Sequence, residues 1–331
     1  MAASQYLEPG SVFGPYEIDS MVGRGTNAVV YLARHTREGT WHALKLVSRV
    51  DSRKKIRLEQ EAIFRDELRH PHIVPATETV EVEDQLALVS EFVEGPSLSV
   101  WMRDSEPPLS DLLALFRGVV EGVAHAHANQ VIHRDLKPSN VLLQPGPGDT
   151  WIPRISDFGL AKALSPEVGK FGGLTTVNTG LGTPGYAAPE QSRDASAVTY
   201  RADLYSLGCI LYEMVCGVAP FAGMSAFDVL AAQRDHRFTA PEDLAPGLPP
   251  DLYQLIRKLL SADPMRRPPD CETVMQQVDV LYHLVAVPEP RATEDEEVQE
   301  HAEPTVDLGR VLLLCAIPLL WLVIGSVFVL D

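Results

Sequence analysis

The segment VIHRDLKPSNVLL, at positions 131–143, places a histidine, three charged residues and an asparagine within eight positions, between two apolar runs. These side chains are His133, Arg134, Asp135, Lys137 and Asn140. Charged groups beside buried strands cost free energy unless each has a partner or a ligand. The segment therefore indicates a functional site. The kind of site has to be inferred from the rest of the sequence.

Length and composition limit the class of protein. The 331 residues are enough for one large or two ordinary domains, and a hydrophobic content of 45% allows a sizeable core. The net charge of −17 argues against a general nucleic-acid binder, because such proteins gain affinity by neutralising phosphates. The four cysteines have neither a CxxC spacing nor neighbouring histidines, so neither a zinc site nor a disulfide framework is predicted.

The carboxy-terminal end differs from everything before it. Residues 311–330, VLLLCAIPLLWLVIGSVFVL, contain no charged side chain, and as a helix they would span ~30 Å, about the hydrocarbon thickness of a bilayer. We expect a single transmembrane helix here, with a buried docking helix as the alternative. The flanking Arg310 and Asp331, and an amino terminus without a signal-peptide pattern, favour a cytoplasmic first domain at the inner or plasma membrane.

An acidic segment, residues 287–310, precedes this apolar run. Residues 288–310 carry eight acidic side chains against two arginines and few large apolar side chains. Such a composition cannot bury enough apolar surface to fold alone, so we expect a disordered linker. A docking tail is the alternative.

The remaining residues, 12–286, divide into two parts. Residues 12–93 contain the short β-rich runs AVVYLARH, WHALKLV and LALVSEFV, with one helical stretch, RKKIRLEQEAIFRDELRH. Long helical patterns dominate residues 97–286. The sequence thus predicts an α+β fold with a sheet lobe (12–93) and a helical lobe (97–286), and a cleft between them where ligands commonly bind.

Two features of the sheet lobe suit phosphate binding. Gly23 and Gly25 lie in a predicted turn where backbone amides can approach phosphates, although an ordinary hairpin turn explains them equally well. Lys45 lies in an otherwise apolar strand and therefore needs an anionic partner. The helical stretch that follows offers Glu59 and Glu61.

The order of the motifs along the chain is more informative than any one of them. The glycine turn, strand lysine and helix glutamate are followed by HRDLKPSN, then SDFGLAK, then GTPGYAAPE. With this set the chain resembles the eukaryotic-type (Hanks-type) protein kinases, and more closely the membrane-anchored Ser/Thr kinases of bacteria. The resemblance runs from about Tyr16 to Leu284 and implies the two-lobed protein kinase fold, with ATP as phosphate donor.

The resemblance implies a role in phosphoryl transfer for each matching polar residue. Asp135 is the implied catalytic base for the substrate hydroxyl, and Lys137 the stabiliser of the transferred phosphoryl group. Asn140 and Asp157 are implied ligands of Mg²⁺, for which Mn²⁺ is the alternative, because both residues offer hard oxygen atoms.

The resemblance also implies a nucleotide site. Lys45 would contact the α- and β-phosphates, held by an ion pair with Glu61, for which Glu59 is the alternative. The residues implied around the nucleotide are Val22, Gly23, Gly25, Val30, Ala43, Lys45, Glu91, Val93 and Leu142. Ser90 precedes the hinge where relatives often carry a larger side chain. Ala28 stands where a third glycine is usual, which is a departure from the pattern.

The same resemblance also implies the substrate class and the mode of regulation. The Lys137–Pro138 pair and Thr183, which would bridge Asp135 and Lys137, resemble the Ser/Thr-specific branch. Arg134 suggests activation by a phosphorylated threonine, because an arginine there needs an anion. The candidates for autophosphorylation, within the 157–190 loop, are Thr175, Thr176 and Thr179.

Three residues have implied architectural roles. Glu190 is expected to pair with Arg267, for which Arg266 is the alternative, and Asp203 to anchor the backbone of the HRD segment. Arg65 falls where a packing residue is expected, which is a second departure from the family pattern.

Two other classes compete with this interpretation, a nucleotide-binding pseudokinase scaffold and a small-molecule phosphotransferase. The presence of Lys45, Asp135, Asn140 and Asp157 argues against the first, and GTPGYAAPE against the second. The expected partners are protein substrates bearing Ser or Thr, the membrane, and a second copy in a homodimer formed through the sheet lobe.

Overall fold

The computed structural model describes residues 6–24, 28–47, 68–83, 85–158, 185–193 and 198–286. These residues all belong to the first of two units into which the chain divides, Met1–Val287 and Pro288–Asp331. The predicted linker (287–310) and membrane helix (311–330) lie outside them, as does most of the predicted helix before residue 68. Within the described ranges, no helix is both long and apolar enough to cross a membrane.

The sheet lobe contains a six-stranded antiparallel sheet in the order β1-β2-β3-β4-β6-β5. The strands are β1 (Val12–Phe13), β2 (Tyr16–Arg24), β3 (Ala28–His35), β4 (Trp41–Val47), β5 (Ala76–Val82) and β6 (Gln85–Glu91). Alternation along β4 buries Leu44 and Leu46 in the core of the sheet lobe. Ala43 and Lys45 therefore share the opposite face of the sheet.

The helical lobe is built around one helix that is buried on nearly every side. Its helices are α1 (Leu98–Asp104), α2 (Leu109–Ala128), α3 (Pro189–Arg193), α4 (Arg201–Cys216), α5 (Ala226–Arg234), α6 (Pro241–Leu244), α7 (Pro250–Leu259) and α8 (Cys271–Ala286). Twelve of the residues of α4 are buried, so this helix forms the centre of the lobe. Gly217 ends α4 in the left-handed conformation, with φ of 71°, which glycine adopts without a side-chain clash.

A short hairpin joins the two lobes. It consists of β7 (Val141–Pro145) and β8 (Trp151–Ile155), with Val141 opposite Ile155. The N–H of Val74 donates to the carbonyl of Ile155, and the N–H of Leu143 donates to the carbonyl of Pro96. Because the strands are antiparallel, the residues before β7 and after β8 lie at the same end, which brings Asn140 close to Ser156 and Asp157.

The two-lobed α+β architecture predicted from the sequence is thus confirmed. The three predicted strands fall within two residues of those observed.

Candidate active site

The HRD loop, residues 131–140, lies between the end of α2 and the start of β7, and Asp203 of α4 holds its backbone. The fully buried Asp203 carboxylate accepts the N–H of His133 at 2.8 Å and that of Arg134 at 2.9 Å. It also accepts a hydrogen bond from Nε2 of His127 at 2.8 Å. Burial acts to raise the pKa of Asp203, but these hydrogen bonds and the neighbouring histidines hold it below its ordinary value.

The backbone of the HRD loop turns sharply before Asp135. Arg134 has a φ of 68° and Asp157 a φ of 66°, in the left-handed region that non-glycine residues rarely adopt. Each such residue costs on the order of 1 kcal/mol of folding free energy, and the conformation persists only where surrounding contacts fix it. The bonds to Asp203 are such contacts for Arg134.

Asp135 is the centre of a small polar cluster. Lys137 Nζ lies 2.9 Å from Asp135 Oδ2. Asn140 Nδ2 donates to the carbonyl of Asp135 at 2.7 Å and to Oδ2 at 3.3 Å. Both charged side chains are partly exposed, at 26% for Asp135 and 20% for Lys137, so a substrate can reach them.

Lys45 and Asp157 connect the two lobes by an ion pair, with Nζ and Oδ1 2.8 Å apart. The predicted partner Glu61 and its alternative Glu59 lie outside the described residues. The anionic partner that the structure shows for Lys45 is therefore a residue of the helical lobe, at the end of the β7–β8 hairpin.

His133 links the HRD loop to the segment that carries Asp157. Its Nε2 lies 2.9 Å from the carbonyl oxygen of Ser156. Its ring packs edge-on against that of Phe158, with the two ring centroids 4.6 Å apart. The N–H of Ser156 donates to the carbonyl of Asn140 at 2.8 Å. These bonds hold Asp135, Asn140 and Asp157 in one cluster.

The oxygen atoms of Asn140 and Asp157 suit a hard divalent cation. Because Asn140 Nδ2 is bonded to Asp135, the amide oxygen is the atom left to act as a ligand. In the described part of the chain, no group of three or more His, Cys, Asp or Glu side chains could hold a metal ion. One carboxylate and one amide are the kind of protein ligand set that Mg²⁺ uses when phosphates complete its coordination.

Most of the residues predicted around the nucleotide surround the Lys45 face of the sheet. Val30 lies opposite Lys45 in the β3–β4 pairing, and Ala43 lies opposite Ser90 in the β4–β6 pairing. Val93 is buried and Leu142 bridges to Ser97, which places both at the junction of the lobes. Val22 is half exposed at the outer end of β2, next to Gly23.

Some of the predicted site residues lie outside the described ranges. These are Gly25, Glu59, Glu61, Thr175, Thr176, Thr179 and Thr183.

Glu190 of α3 and Arg267 are brought together. Arg267 Nη1 lies 2.6 Å from Glu190 Oε1, and Nη2 lies 2.9 Å from Oε2. The alternative, Arg266, is 81% exposed and lies 3.8 Å from Asp263. Of the two arginines considered, Arg267 is therefore the one that holds Glu190.

The structure also shows contacts that the sequence patterns did not indicate. The hinge residue Glu91 pairs with Arg154 of β8 at 2.8 Å, and Arg154 also donates to the carbonyl of Ile73 at 3.3 Å. The Tyr186 hydroxyl donates to Glu213 at 2.5 Å, and burial raises the pKa of that carboxyl. The sequence feature that could have indicated a partner for Arg154 is its charge within a five-residue strand just before the DFG triplet.

A model of the protein kinase domain family matches residues 16–278. The chain belongs to the protein kinase family. It is 35% identical over 263 residues to the serine/threonine-protein kinase PknD of Mycobacterium tuberculosis (strain ATCC 25618 / H37Rv), covering 78% of this chain and 38% of that relative. To the serine/threonine-protein kinase PrkC of Bacillus subtilis (strain 168) it is 31% identical over 293 residues, covering 87% of this chain and 44% of that relative.

These comparisons confirm the family predicted from the motifs. The chain spans less than half of the length of the two curated relatives. Among solved structures, the kinase domain of Mycobacterium tuberculosis PknI aligns with a TM-score of 0.65 at 24% identity, over 83% of this chain and all of that one. That likeness supports the fold alone.

Proposed function

We propose that this protein transfers the γ-phosphate of ATP to serine or threonine hydroxyls of protein substrates. The observation that carries the proposal is the cluster of Asp135, Lys137 and Asn140 next to the Lys45–Asp157 ion pair. Phosphoryl transfer requires mainly positioning and neutralisation of negative charge, and this cluster offers one carboxylate base, two ammonium groups and oxygen ligands for a metal.

In the proposed reaction, the Asp135 carboxylate accepts the proton of the substrate hydroxyl as its oxygen attacks the γ-phosphorus. A new oxygen–phosphorus bond forms while the bond to the β-phosphate oxygen breaks, and ADP leaves. The Lys137 ammonium lies beside the carboxylate and stabilises the charge on the transferred group. Asn140 and Asp157 would hold Mg²⁺ or Mn²⁺, which neutralises phosphate charge when bound.

The nucleotide would bind between the sheet and the β7–β8 hairpin. Val30 and Ala43 supply an apolar surface on one side and Leu142 on the other, while the backbone from Glu91 to Val93 offers hydrogen-bonding groups. The Lys45 ammonium contacts the Asp157 carboxylate, so phosphates and metal would bind beside this ion pair.

The choice of a Ser or Thr hydroxyl rests on Lys137 with Pro138 and on the similarity to bacterial Ser/Thr kinases. We extend the proposal to autophosphorylation at Thr175, Thr176 or Thr179. Arg134 supports it, because a guanidinium next to the catalytic base can pair with a phosphothreonine.

Membrane tethering is a further part of the proposal. The uncharged run at 311–330 has the length and composition of a membrane span, and the acidic segment before it would keep the kinase domain away from the membrane surface. We propose a single-pass inner or plasma membrane protein with a cytoplasmic kinase domain. A homodimer formed through the sheet lobe stays a prediction.

The test is to incubate the full chain with ATP, Mg²⁺ and a generic protein acceptor, and to identify the modified residues by mass spectrometry. Small hydroxyl compounds serve as competing acceptors. Phosphoserine and phosphothreonine on protein would support the proposal. Labelling of small hydroxyl compounds alone, or nucleotide binding without any transfer, would replace it with one of the two competing classes.

A further inference from the structure

Helix α3 makes two different contacts at consecutive residues. Glu190 pairs with the buried Arg267, which fixes the helix to the core of the helical lobe. Gln191 instead reaches the HRD loop. Its Nε2 donates to the carbonyl oxygen of Arg134 at 2.8 Å, and its Oε1 accepts the N–H of Ala188 at 2.8 Å.

The two partners fix the orientation of the Gln191 amide. A backbone N–H can only donate and a backbone carbonyl can only accept, so Nε2 must face Arg134 and Oε1 must face Ala188. Gln191 therefore uses both ends of its amide, one within its own segment and one on the HRD loop.

The bond to Arg134 falls on the peptide group that leads into Asp135. Asp203 holds the preceding N–H groups, those of His133 and Arg134. The next peptide, between Arg134 and Asp135, has its carbonyl held by Gln191 and its N–H 3.3 Å from Nδ1 of His133. A rotation of this peptide would redirect the Asp135 side chain, and the left-handed conformation of Arg134 persists only where surrounding contacts fix it.

We propose that Gln191 is a positioning residue for Asp135. By holding the Arg134 carbonyl, it fixes the peptide plane from which the carboxylate projects. Gln191 thereby couples the 185–193 segment to the orientation of the base. The inference rests on the proposed role of Asp135, and it assigns Gln191 no contact with substrate or nucleotide.

The experiment compares the Gln191→Glu and Gln191→Met variants of the full chain with a charge-matched control, Gln276→Glu, on the exposed side of α8. The measured quantity is the single-turnover rate of γ-phosphate transfer to a serine peptide at saturating ATP, between pH 5.5 and 8.5. The KM for ATP and the thermal unfolding temperature are measured alongside.

At pH 8 we expect the Gln191→Glu rate to be about tenfold or more below wild type, because the ionised carboxylate places an acceptor opposite a carbonyl. The KM for ATP should not change. The deficit should shrink as the pH falls, since a protonated carboxyl group can donate to the Arg134 carbonyl. The Gln191→Met deficit should be the same at every pH, and Gln276→Glu should match wild type.

A wild-type rate in folded Gln191→Glu would overturn the proposal, and so would a deficit that does not depend on pH. If Gln191→Glu does not fold, Gln191→Met decides, because a wild-type rate in that isosteric variant would equally overturn it. The Asp135→Asn variant distinguishes failure of the proposed role of Gln191 from failure of the proposed role of Asp135. If that variant transfers phosphate normally, the role of Asp135 fails as well.

Discussion

Glu190 and Arg267 form a bidentate ion pair in which the guanidinium is completely buried. Two further donors of Arg267 are satisfied, since Nε donates to the carbonyl of Ser261 and Nη1 to that of Arg201. One side chain thus fixes α3, the start of α4 and the loop before α8.

Replacing Arg267 by Ala should lower the free energy of unfolding by about 3 kcal/mol or more, because it leaves the Glu190 carboxylate and two carbonyls without their donor. The adjacent Arg266→Ala is the matched control and should change it by less than about 0.5 kcal/mol, since Arg266 is exposed. Urea denaturation of both variants measures the difference. Equal effects would contradict the assignment of the pair.

Replacing Lys45 by Met should lower the transfer rate by about 100-fold or more while the fold stays intact, because the substitution removes a positive charge directed at the phosphates. Lys258→Met on the exposed face of α7 is the control and should keep the wild-type rate. Steady-state kinetics with ATP and a serine peptide provide the comparison. Wild-type activity in Lys45→Met would rule out the proposed phosphate contact.

Glu213 should make stability depend on pH, since burial raises its pKa above the ordinary value of 4.5. Between 4.5 and the raised pKa, the unfolded chain loses the proton while the folded chain keeps it, so stability falls as the pH rises. The stability that Glu213 contributes is fully present below pH 4.5 and is lost as the pH rises above the pKa of Glu213 in the folded state.

Glu213→Gln should remove this dependence, because the amide cannot ionise and its oxygen can still accept from Tyr186. The unfolding free energy of wild type minus that of Glu213→Gln should therefore decrease with rising pH and then level off. The exposed Glu272→Gln variant, which should show no such decrease, is the reference. A flat difference for Glu213→Gln would contradict the account.

Gly208 inside α4 and Gly217 just after its last residue allow steric crowding and backbone strain to be tested separately. A Cβ on Gly208 would lie 2.6 Å from Cβ of Leu259, whereas a Cβ on Gly217 would meet nothing within 4 Å but would need a φ of 71°. We expect Gly208→Ala to destabilise the protein by about 2 kcal/mol or more through overpacking against α7. Gly217→Ala should lower the free energy of unfolding by only about 1 kcal/mol, which is the cost of an alanine in the left-handed region. Thermal and urea unfolding give both values, and the reverse order would contradict this packing.

Most of the fold could be predicted from the sequence, because its signals are local. The β-rich run Trp41–Val47 predicts a strand, and the period of two in any strand puts Lys45 on the face opposite Leu44. The ordered motifs carry the resemblance that predicts which loops meet. The cluster around Asp135 follows from residues within eight positions of one another, so the sequence predicts it directly.

The remaining contacts join residues that lie far apart in the sequence. The Glu91–Arg154 pair and the Gln191–Arg134 bond depend on how loops from different elements are placed, which no local pattern encodes. The choice between Arg266 and Arg267 depends on which side of a single 3₁₀ turn faces the core. Neighbouring residues of the same type give no sequence signal for that choice.

The most direct test of the central claim is the transfer of labelled γ-phosphate from ATP in the presence of Mg²⁺, comparing the full chain with its Asp135→Asn variant. Asp149→Asn, on the exposed turn between β7 and β8, is the matched control. We predict labelled protein serine or threonine for wild type and Asp149→Asn, and almost none for Asp135→Asn at unchanged nucleotide affinity. Equal labelling of wild type and Asp135→Asn would contradict the assignment of Asp135 as the catalytic base.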